Sequence, residues 1–142
     1  MGLFGKKPKK MVLFACIENS GRSQMAEGFF RKYAPKEWDA MSGGTNPKSY
    51  VNPLAIEVMK EVGVDISKHR AKMLSEEQIR KADLKVNMGC MDTKDCPTLV
   101  LGGYEDWGIE DPKDKPIEKV REIRDQIESK VKKLVSEVEQ KK

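Results

Sequence analysis

The sequence predicts a single α/β domain with a mostly parallel sheet flanked by helices. Its 142 residues suit one compact domain and leave little room for a second core. Short apolar runs of strand length alternate along the chain with segments whose apolar residues recur every three or four positions. Such alternation favours parallel strands joined by helices, and it places ligands at the carboxyl ends of the strands.

The first half of the chain supplies two strands and two helices. Residues 11–15, MVLFA, form a continuous apolar run, as expected for a strand buried on both faces. From Ser23 the apolar residues recur at helical intervals until a proline ends the pattern. Residues 38–42 are predicted as the second strand and are followed by two glycines. A second helix is predicted to begin near Pro53 and to end at Gly63.

The second half supplies the remaining elements. Residues 83–88 and 98–101 are predicted as the third and fourth strands, and Ser75 as the N-cap of a short helix between residues 73 and 82. Residues 117–138 carry apolar side chains at intervals of three and four with charges between them. This spacing predicts a long helix packed on the sheet. A coiled-coil seam is the alternative, but the segment is short for one.

Charge and composition limit the classes of function. The net charge is +4, but lysines and arginines are scattered among 23 acidic residues, so nucleic-acid binding is not predicted. We predict a disordered basic tail at residues 1–9 and the domain at residues 10–140. No apolar run approaches the roughly 20 residues that cross a bilayer, and no signal-peptide pattern is present. We therefore expect a cytoplasmic protein without a membrane partner.

Residues 16–23, CIENSGRS, join the first strand to the first helix. A loop at such a position can turn consecutive backbone N–H groups toward one point, where the helix dipole also favours negative charge. The same field favours the thiolate of Cys16, and Arg22 can grip two oxygens of an anion. The pattern predicts an oxyanion site. We expect its ligands to come from Ile17, Glu18, Asn19, Ser20, Gly21, Arg22 and Ser23.

Residues 16–28, CIENSGRSQMAEG, resemble the signature of the low-molecular-weight protein tyrosine phosphatase superfamily. The SQMAEG portion is similar to the arsenate reductase branch of that superfamily. The resemblance extends from about residue 11 to residue 134, and it implies a four-stranded parallel sheet with the nucleophile in the loop after the first strand. Two positions depart from the family pattern, because Glu18 stands where Gly is usual and Gly21 stands where Cys is frequent.

Residues 104–112, YEDWGIEDP, are predicted to form an acidic loop that ends in Asp111 and Pro112. Proline fixes the local backbone and holds the preceding residue extended, which could present Asp111 to the cleft. The resemblance implies that Asp111 is the general acid, the group that gives a proton to the leaving oxygen. Trp107 is expected to pack rather than to react. The only histidine, His69, is expected to lie at the surface or to anchor a loop.

Cys90 and Cys96 follow the third strand in GCMDTKDCP, so we expect them at the same sheet edge as Cys16. The chain between them can bend to bring the two sulfurs to bonding distance. Zinc is the competing interpretation, but the chain has one histidine and no CxxC pair. A static disulfide is not expected in the cytosol. We predict no metal and no cofactor. The stretch NMGCMDTKDCP resembles arsenate reductases, whereas simple tyrosine phosphatases generally lack this second pair of cysteines.

The resemblance implies an arsenate reductase. Cys16 would attack arsenate, Asp111 would protonate the departing hydroxyl, and Cys90 and Cys96 would pass electrons from thioredoxin or a similar dithiol. Phosphate and sulfate are expected to compete for the site, and the protein is expected to be a monomer. The alternative is a phosphatase that uses Cys16, Arg22 and Asp111 to hydrolyse aryl phosphates through a phosphocysteine. A non-catalytic anion sensor is a third hypothesis.

Overall fold

The computed structural model describes residues 9–89 and 103–140, which form alternating strands and helices. The elements in chain order are β1 (Lys10–Cys16), α1 (Arg22–Tyr33), β2 (Trp38–Gly44), α2 (Pro53–Glu61), α3 (Glu76–Lys81), β3 (Leu84–Asn87), β4 (Glu105–Asp106) and α4 (Ile117–Gln140). The strands pair in parallel in the order β2-β1-β3-β4. The predicted four-stranded parallel α/β fold is confirmed. Within the described ranges, no helix is long and apolar enough to cross a membrane.

Strand β1 lies inside the sheet because it is apolar on both faces. Val12, Leu13, Phe14 and Ala15 have no exposed surface. Val12 and Phe14 belong to the main core, which they share with apolar residues of α1, α2 and α4. Leu13 and Ala15 face a smaller cluster that includes residues of α3 and its flanks. The carboxyl end of β1 is therefore held firmly between β2 and β3.

The predicted helix ends and the long last helix are also observed. The side chain of Ser75 accepts a hydrogen bond from the N–H of Gln78, and the side-chain oxygen of Gln78 accepts one from the N–H of Ser75, which forms a capping box. Helix α4 packs against α1 and α2 through one apolar stripe. The buried apolar residues of that stripe are Val120, Ile123, Ile127, Val131, Leu134, Val135 and Val138.

The segment after β3 differs from the prediction. The strand predicted at residues 98–101 lies outside the described residues. Residues 104–112, predicted to be a loop throughout, contain strand β4, whose Asp106 pairs with Asn87 of β3. The loop prediction was wrong there because the side chains of Glu105 and Asp106 are exposed, so the sequence has no apolar pattern at this position. The edge strand forms through backbone pairing with β3. Trp107 packs on the core as expected, with its ring 5.6 Å from that of Phe14.

Candidate active site

The loop between β1 and α1 turns its carbonyl groups outward. The neighbouring segment 45–52 donates four backbone hydrogen bonds to these carbonyls: Thr45 to Cys16 (3.3 Å), Asn46 to Ile17 (2.8 Å), Lys48 to Glu18 (3.0 Å) and Asn52 to Ser20 (2.7 Å). These hydrogen bonds hold the loop of residues 16–20 beside residues 45–52, outside any helix or sheet. Because these carbonyl groups point toward residues 45–52, the N–H groups of the loop point to its opposite side.

The N–H groups of the loop line the candidate anion site. Within the described ranges, no acceptor takes the N–H of Glu18, Ser20 or Gly21. Helix α1 begins directly after them, and its N-terminus has neither a side-chain cap nor an acidic residue in its first turn. Unpaired N–H groups together with a helix N-terminus attract a tetrahedral anion. The predicted oxyanion loop therefore has a suitable backbone geometry.

Cys16 lies at the end of β1 and is 2% exposed. Its sulfur accepts a hydrogen bond from the backbone N–H of Asn19 at 3.1 Å and lies 2.9 Å from the hydroxyl oxygen of Ser23. That oxygen already accepts from Asn19 Nδ2 at 2.7 Å, which leaves the hydroxyl hydrogen available to the sulfur. Two hydrogen-bond donors are therefore directed at one sulfur atom.

Asn19 is the central residue of the loop, and from the sequence it was predicted only as a ligand of the oxyanion. It is fully buried and has a positive φ of 52°. Its side-chain oxygen accepts from Gln24 Nε2 at 3.0 Å and from the N–H of Lys72 at 2.9 Å. Gln24 in turn accepts from His69 Nδ1 at 2.9 Å. These contacts hold a backbone conformation that costs free energy, as is common at functional sites.

His69 anchors the loop, as the sequence analysis allowed. Its ring is partly buried, and burial lowers its pKa below the ordinary value. The neutral ring can still donate from Nδ1 to Gln24. Gln24 and Lys72 were missed because a polar residue on a helix and a lysine in a loop are usually solvated, and nothing in the sequence places either beside residue 19.

A buried carboxylate lies behind the loop. Glu27 is 4% exposed and accepts a 2.6 Å hydrogen bond from the hydroxyl of Ser42. Arg31 lies 2.8 Å from its other oxygen, and the ammonium of Lys72 is 3.8 Å away. Paired in this way, the carboxylate ties α1 to the end of β2 and to the segment that carries Lys72.

Gly44 is a further residue that the sequence analysis did not connect to the site. It ends β2, where it pairs with Cys16. A Cβ atom there would lie 2.5 Å from the carbonyl oxygen of Ile17 and 2.9 Å from the nitrogen of Asn19. On its other side, Gly44 exchanges backbone hydrogen bonds with Lys72 and Leu74. The loop occupies the space that a side chain at residue 44 would fill.

Arg22 begins α1 and is nearly buried. Its Nη1 donates to the carbonyl oxygens of Gly89 at 2.6 Å and Ile109 at 2.8 Å, which uses both hydrogens on that nitrogen. Its Nη2 lies 3.9 Å from a carboxylate oxygen of Asp111. The guanidinium is thus fixed by one nitrogen, and Nε and Nη2 remain as the edge that can grip two oxygens of an anion.

Asp111 and Pro112 lie over the oxyanion loop. The Asp111 side chain is 52% exposed, and its Oδ1 accepts from the N–H of Lys113 at 2.9 Å. The ring of Pro112 packs so closely on Gly21 that a Cβ at residue 21 would lie 2.9 Å from its Cγ. This contact explains why glycine suits position 21.

One cleft brings several of the predicted residues together. It has a volume of ≈ 790 Å³, and Ile17, Arg22, Gly89 and Asp111 are among the residues that line it. The arrangement offers a sulfur nucleophile beside N–H donors, a fixed guanidinium and a carboxyl group. Those groups suit attack by a thiolate on a tetrahedral oxyanion, with a carboxylic acid to protonate the leaving oxygen.

The remaining predicted residues are placed less directly. In the described part of the chain, only Ser23 and Asn19 form hydrogen bonds with the sulfur of Cys16. Ser20 instead lines the neighbouring pocket, together with Glu18 and Gly21. Cys90 and Cys96 lie outside the described residues, so their predicted roles stay predictions.

Comparisons with known proteins agree on the relationship. A model of the low molecular weight phosphotyrosine protein phosphatase family matches residues 11–142. Arsenate reductase 2 of Staphylococcus epidermidis is 43% identical over 123 residues, which are 85% of this chain and 92% of that protein. The solved thioredoxin-dependent arsenate reductase of Corynebacterium glutamicum has a TM-score of 0.79 at 33% identity, over 99% of this chain and 67% of that chain. An arsenate reductase in the phosphate binding state has a TM-score of 0.78 at 32% identity, over 90% and 98%.

Proposed function

We propose, from the membership of this chain in the low molecular weight phosphotyrosine protein phosphatase family, that it is an arsenate reductase whose nucleophile is Cys16. Relatives in this family that share about two fifths of its residues are arsenate reductases. The observation that carries the proposal is the pair of hydrogen bonds from Asn19 and Ser23 to the Cys16 sulfur, at 3.1 and 2.9 Å. They support a thiolate, which is the form that attacks.

The first step forms a bond between sulfur and arsenic. The loop N–H groups and the Nε and Nη2 edge of Arg22 hold the oxygens of arsenate, and the Cys16 thiolate attacks the arsenic atom. Asp111 gives its proton to the departing hydroxide, which leaves as water. Arsenic remains in the +5 state at this stage, because the thiolate has replaced one oxygen ligand and no electrons have been transferred.

The second step supplies the electrons. The Cys90 thiolate attacks the Cys16 sulfur, the sulfur–arsenic bond breaks, and its electron pair stays on arsenic, which leaves as arsenite in the +3 state. Cys96 then attacks Cys90, which releases the Cys16 thiolate and forms a Cys90–Cys96 disulfide. An external dithiol reduces that disulfide and completes the cycle. The support for these roles is the sequence, in which both cysteines follow β3 and the second pair is typical of arsenate reductases.

The partners follow from the same chemistry. Backbone N–H groups and a guanidinium recognise the shape and charge of a tetrahedral oxyanion, so phosphate and sulfate compete with arsenate. A thioredoxin-type dithiol is the reductant, in keeping with the Corynebacterium relative that is named thioredoxin-dependent. We place the protein in the cytoplasm, where such dithiols are kept reduced, and we expect it to act as a monomer.

A single-turnover experiment tests the mechanism. Reduced wild-type protein, mixed with arsenate and no reductant, should release about one arsenite per chain and accumulate the Cys90–Cys96 disulfide. Cys96→Ser should still release arsenite once, but it should trap Cys16 bonded to Cys90. Proteolysis and mass spectrometry identify which sulfurs are joined.

Cys90→Ser is the matched variant. It should stop the release of arsenite, yet it should leave any hydrolysis of an aryl phosphate, because water needs no second thiol. The same Cys16, Arg22 and Asp111 would serve a phosphatase, so this variant separates the two activities. If arsenate leaves every cysteine of the wild type reduced while aryl phosphate is hydrolysed, the chain is a phosphatase and the reductase proposal fails.

A further inference from the structure

The side chain of Glu18 lies beside two lysines. Its Oε2 lies 3.4 Å from Nζ of Lys113 and 3.8 Å from Nζ of Lys48, and the side chain is 24% exposed. The attraction of the Glu18 carboxylate raises the pKa of Lys113. A carboxylate two residues after the nucleophile would repel an anion, so its pairing with two cations bears directly on the site.

The contact with Lys113 joins two loops that are far apart in sequence. Glu18 belongs to the oxyanion loop, and Lys113 lies two residues after Asp111. The backbone N–H of Lys113 donates to Asp111 Oδ1 at 2.9 Å, so the position of residue 113 is coupled to the carboxyl group of residue 111. Oδ2 of Asp111 lies 3.9 Å from Nη2 of Arg22, which is too far for a hydrogen bond.

Two described contacts therefore hold the loop of Asp111 on the oxyanion loop from the side of the lysines. One is the packing of Pro112 on Gly21, and the other is the ion pair between Glu18 and Lys113. The first is apolar and fixes one point only. The ion pair adds a point of attachment on the other side of Asp111 from Ile109, whose carbonyl is held by Arg22, and the Asp111 side chain between them is half exposed.

The same carboxylate sets the local charge. Lys48 and Lys113 bring two positive charges to the rim, and Glu18 cancels one of them. Removing Glu18 leaves both ammonium groups uncompensated beside a site that binds anions, which strengthens anion binding through the Coulomb interaction. Removing Lys113 has the opposite effect on charge but breaks the same ion pair.

We propose that Glu18 is a positioning residue that ties the loop of Asp111 to the oxyanion loop and at the same time weakens the binding of anions at rest. The inference rests on the proposed function, because Asp111 matters only if it protonates a leaving oxygen. Weaker binding of the ground state leaves more of the interaction with the anion to be realised in the transition state. Glu18 thus lowers the affinity for the anion and raises the turnover rate.

Two variants distinguish the effect of the ion pair on the position of the Asp111 loop from the effect of the Glu18 charge on anion binding. Glu18→Ala and Lys113→Met each remove the ion pair, so each should lower kcat for arsenate, by roughly threefold to thirtyfold. Their effects on KM should have opposite signs. Glu18→Ala should lower KM roughly twofold to fivefold, and Lys113→Met should raise it by a similar factor. A loss of structure alone would not move KM in opposite directions.

Lys115→Met is the control, because Lys115 pairs with Glu110 rather than with Glu18. It removes one positive charge from the same loop and should raise KM without lowering kcat. The charge swap Glu18→Lys with Lys113→Glu restores the ion pair at the same net charge, and should return kcat to within about twofold of wild type. Urea unfolding of each variant checks that the fold is intact.

Two measurements do not depend on arsenate reduction. Protection of Cys16 from iodoacetamide by phosphate gives the anion affinity, and hydrogen exchange of the Lys113 amide reports how firmly the loop is held. Exchange should become faster in Glu18→Ala and Lys113→Met, but not in Lys115→Met. If the wild type fails to reduce arsenate, the proposed function fails while these two readouts still test Glu18. Unchanged exchange, or shifts of anion affinity in the same direction in both variants, would overturn the role of Glu18.

Discussion

Replacing Gly44 by alanine tests whether the oxyanion loop depends on close backbone approach. The new Cβ would lie 2.5 Å from the Ile17 carbonyl oxygen, about 0.9 Å short of the 3.4 Å at which ordinary contact begins. It would also lie 2.9 Å from the Asn19 nitrogen, which donates to the Cys16 sulfur. Both neighbours are backbone atoms, so no side chain can rotate away to make room.

The opposite side of Gly44 cannot yield easily either. Its N–H donates to the carbonyl of Lys72 at 2.9 Å, and its carbonyl accepts from Leu74 at 2.8 Å. An added methyl group must therefore push the loop or break these hydrogen bonds. Overpacking of this kind costs roughly 1 to 3 kcal/mol of unfolding free energy. In a chain of this length that corresponds to a fall in Tm of roughly 3 to 10 °C.

Function should suffer more than stability. A loop displaced by close to 1 Å carries its N–H groups away from the anion, and misplacement of that size can reduce rates by about 10². Urea unfolding gives the change in stability, and phosphate protection of the Cys16 peptide from iodoacetamide gives the change in anion affinity. Gly44→Ala should lose at least tenfold in phosphate affinity.

Gly103→Ala is the matched control. A Cβ at residue 103 meets no atom of the described residues within 4 Å, so stability should change by no more than about 0.5 kcal/mol and phosphate protection should be unchanged. If Gly44→Ala behaves like this control in both measurements, the loop does not depend on the space at residue 44, and the account of how its N–H groups are directed is wrong.

Three further predictions concern the groups around Cys16. Asp111→Asn should reduce turnover by roughly 10² to 10⁴ while phosphate still protects Cys16; full turnover would assign the proton to another donor. Ser23→Ala removes one of two hydrogen bonds to the sulfur, so alkylation of Cys16 at pH 6 should slow roughly tenfold or more, and an unchanged rate would show that this hydroxyl does not stabilise the thiolate. Burial lowers the pKa of His69, so the folded chain binds fewer protons than the unfolded chain near pH 6. The stability that this difference provides above the ordinary histidine pKa of 6.5 is lost as pH falls through that region. His69→Asn keeps a donor for Gln24 but cannot titrate, so its urea midpoint should fall less than that of wild type between pH 7 and 5.5; equal falls would exclude this contribution.

Most helices and strands, and the chemistry expected of the loop, could be predicted from the sequence. A continuous apolar run can only be a buried strand or a buried helix segment, and the brevity of residues 11–15 settled it in favour of the strand. The long helix followed from its apolar stripe, and its neighbour α3 began where Ser75 could cap it. These features are local, because periodicity and capping depend on residues that are close in sequence.

The chemistry of the site was local in the same sense. Cys16 and Arg22 lie six residues apart at a change from strand to helix, and this local pattern predicted an anion site built from the N–H groups between them. Asp111 was predicted to be the general acid from the proline that follows it and from the family resemblance. Its position over the loop was not predictable in detail, because the contact of Pro112 with Gly21 joins residues 91 positions apart.

Only the tertiary structure decided what holds the loop in place. The order β2-β1-β3-β4 puts Gly44 against the loop, and the N–H of Lys72, 53 residues from Asn19, completes the hydrogen bonding of that side chain. Arg22 is fixed by the carbonyls of Gly89 and Ile109. Strand β4 consists of exposed acidic residues that pair through their backbone. Such contacts leave no trace in composition or periodicity, because backbone carbonyl and N–H groups are the same at every residue and only the folded chain brings particular ones together.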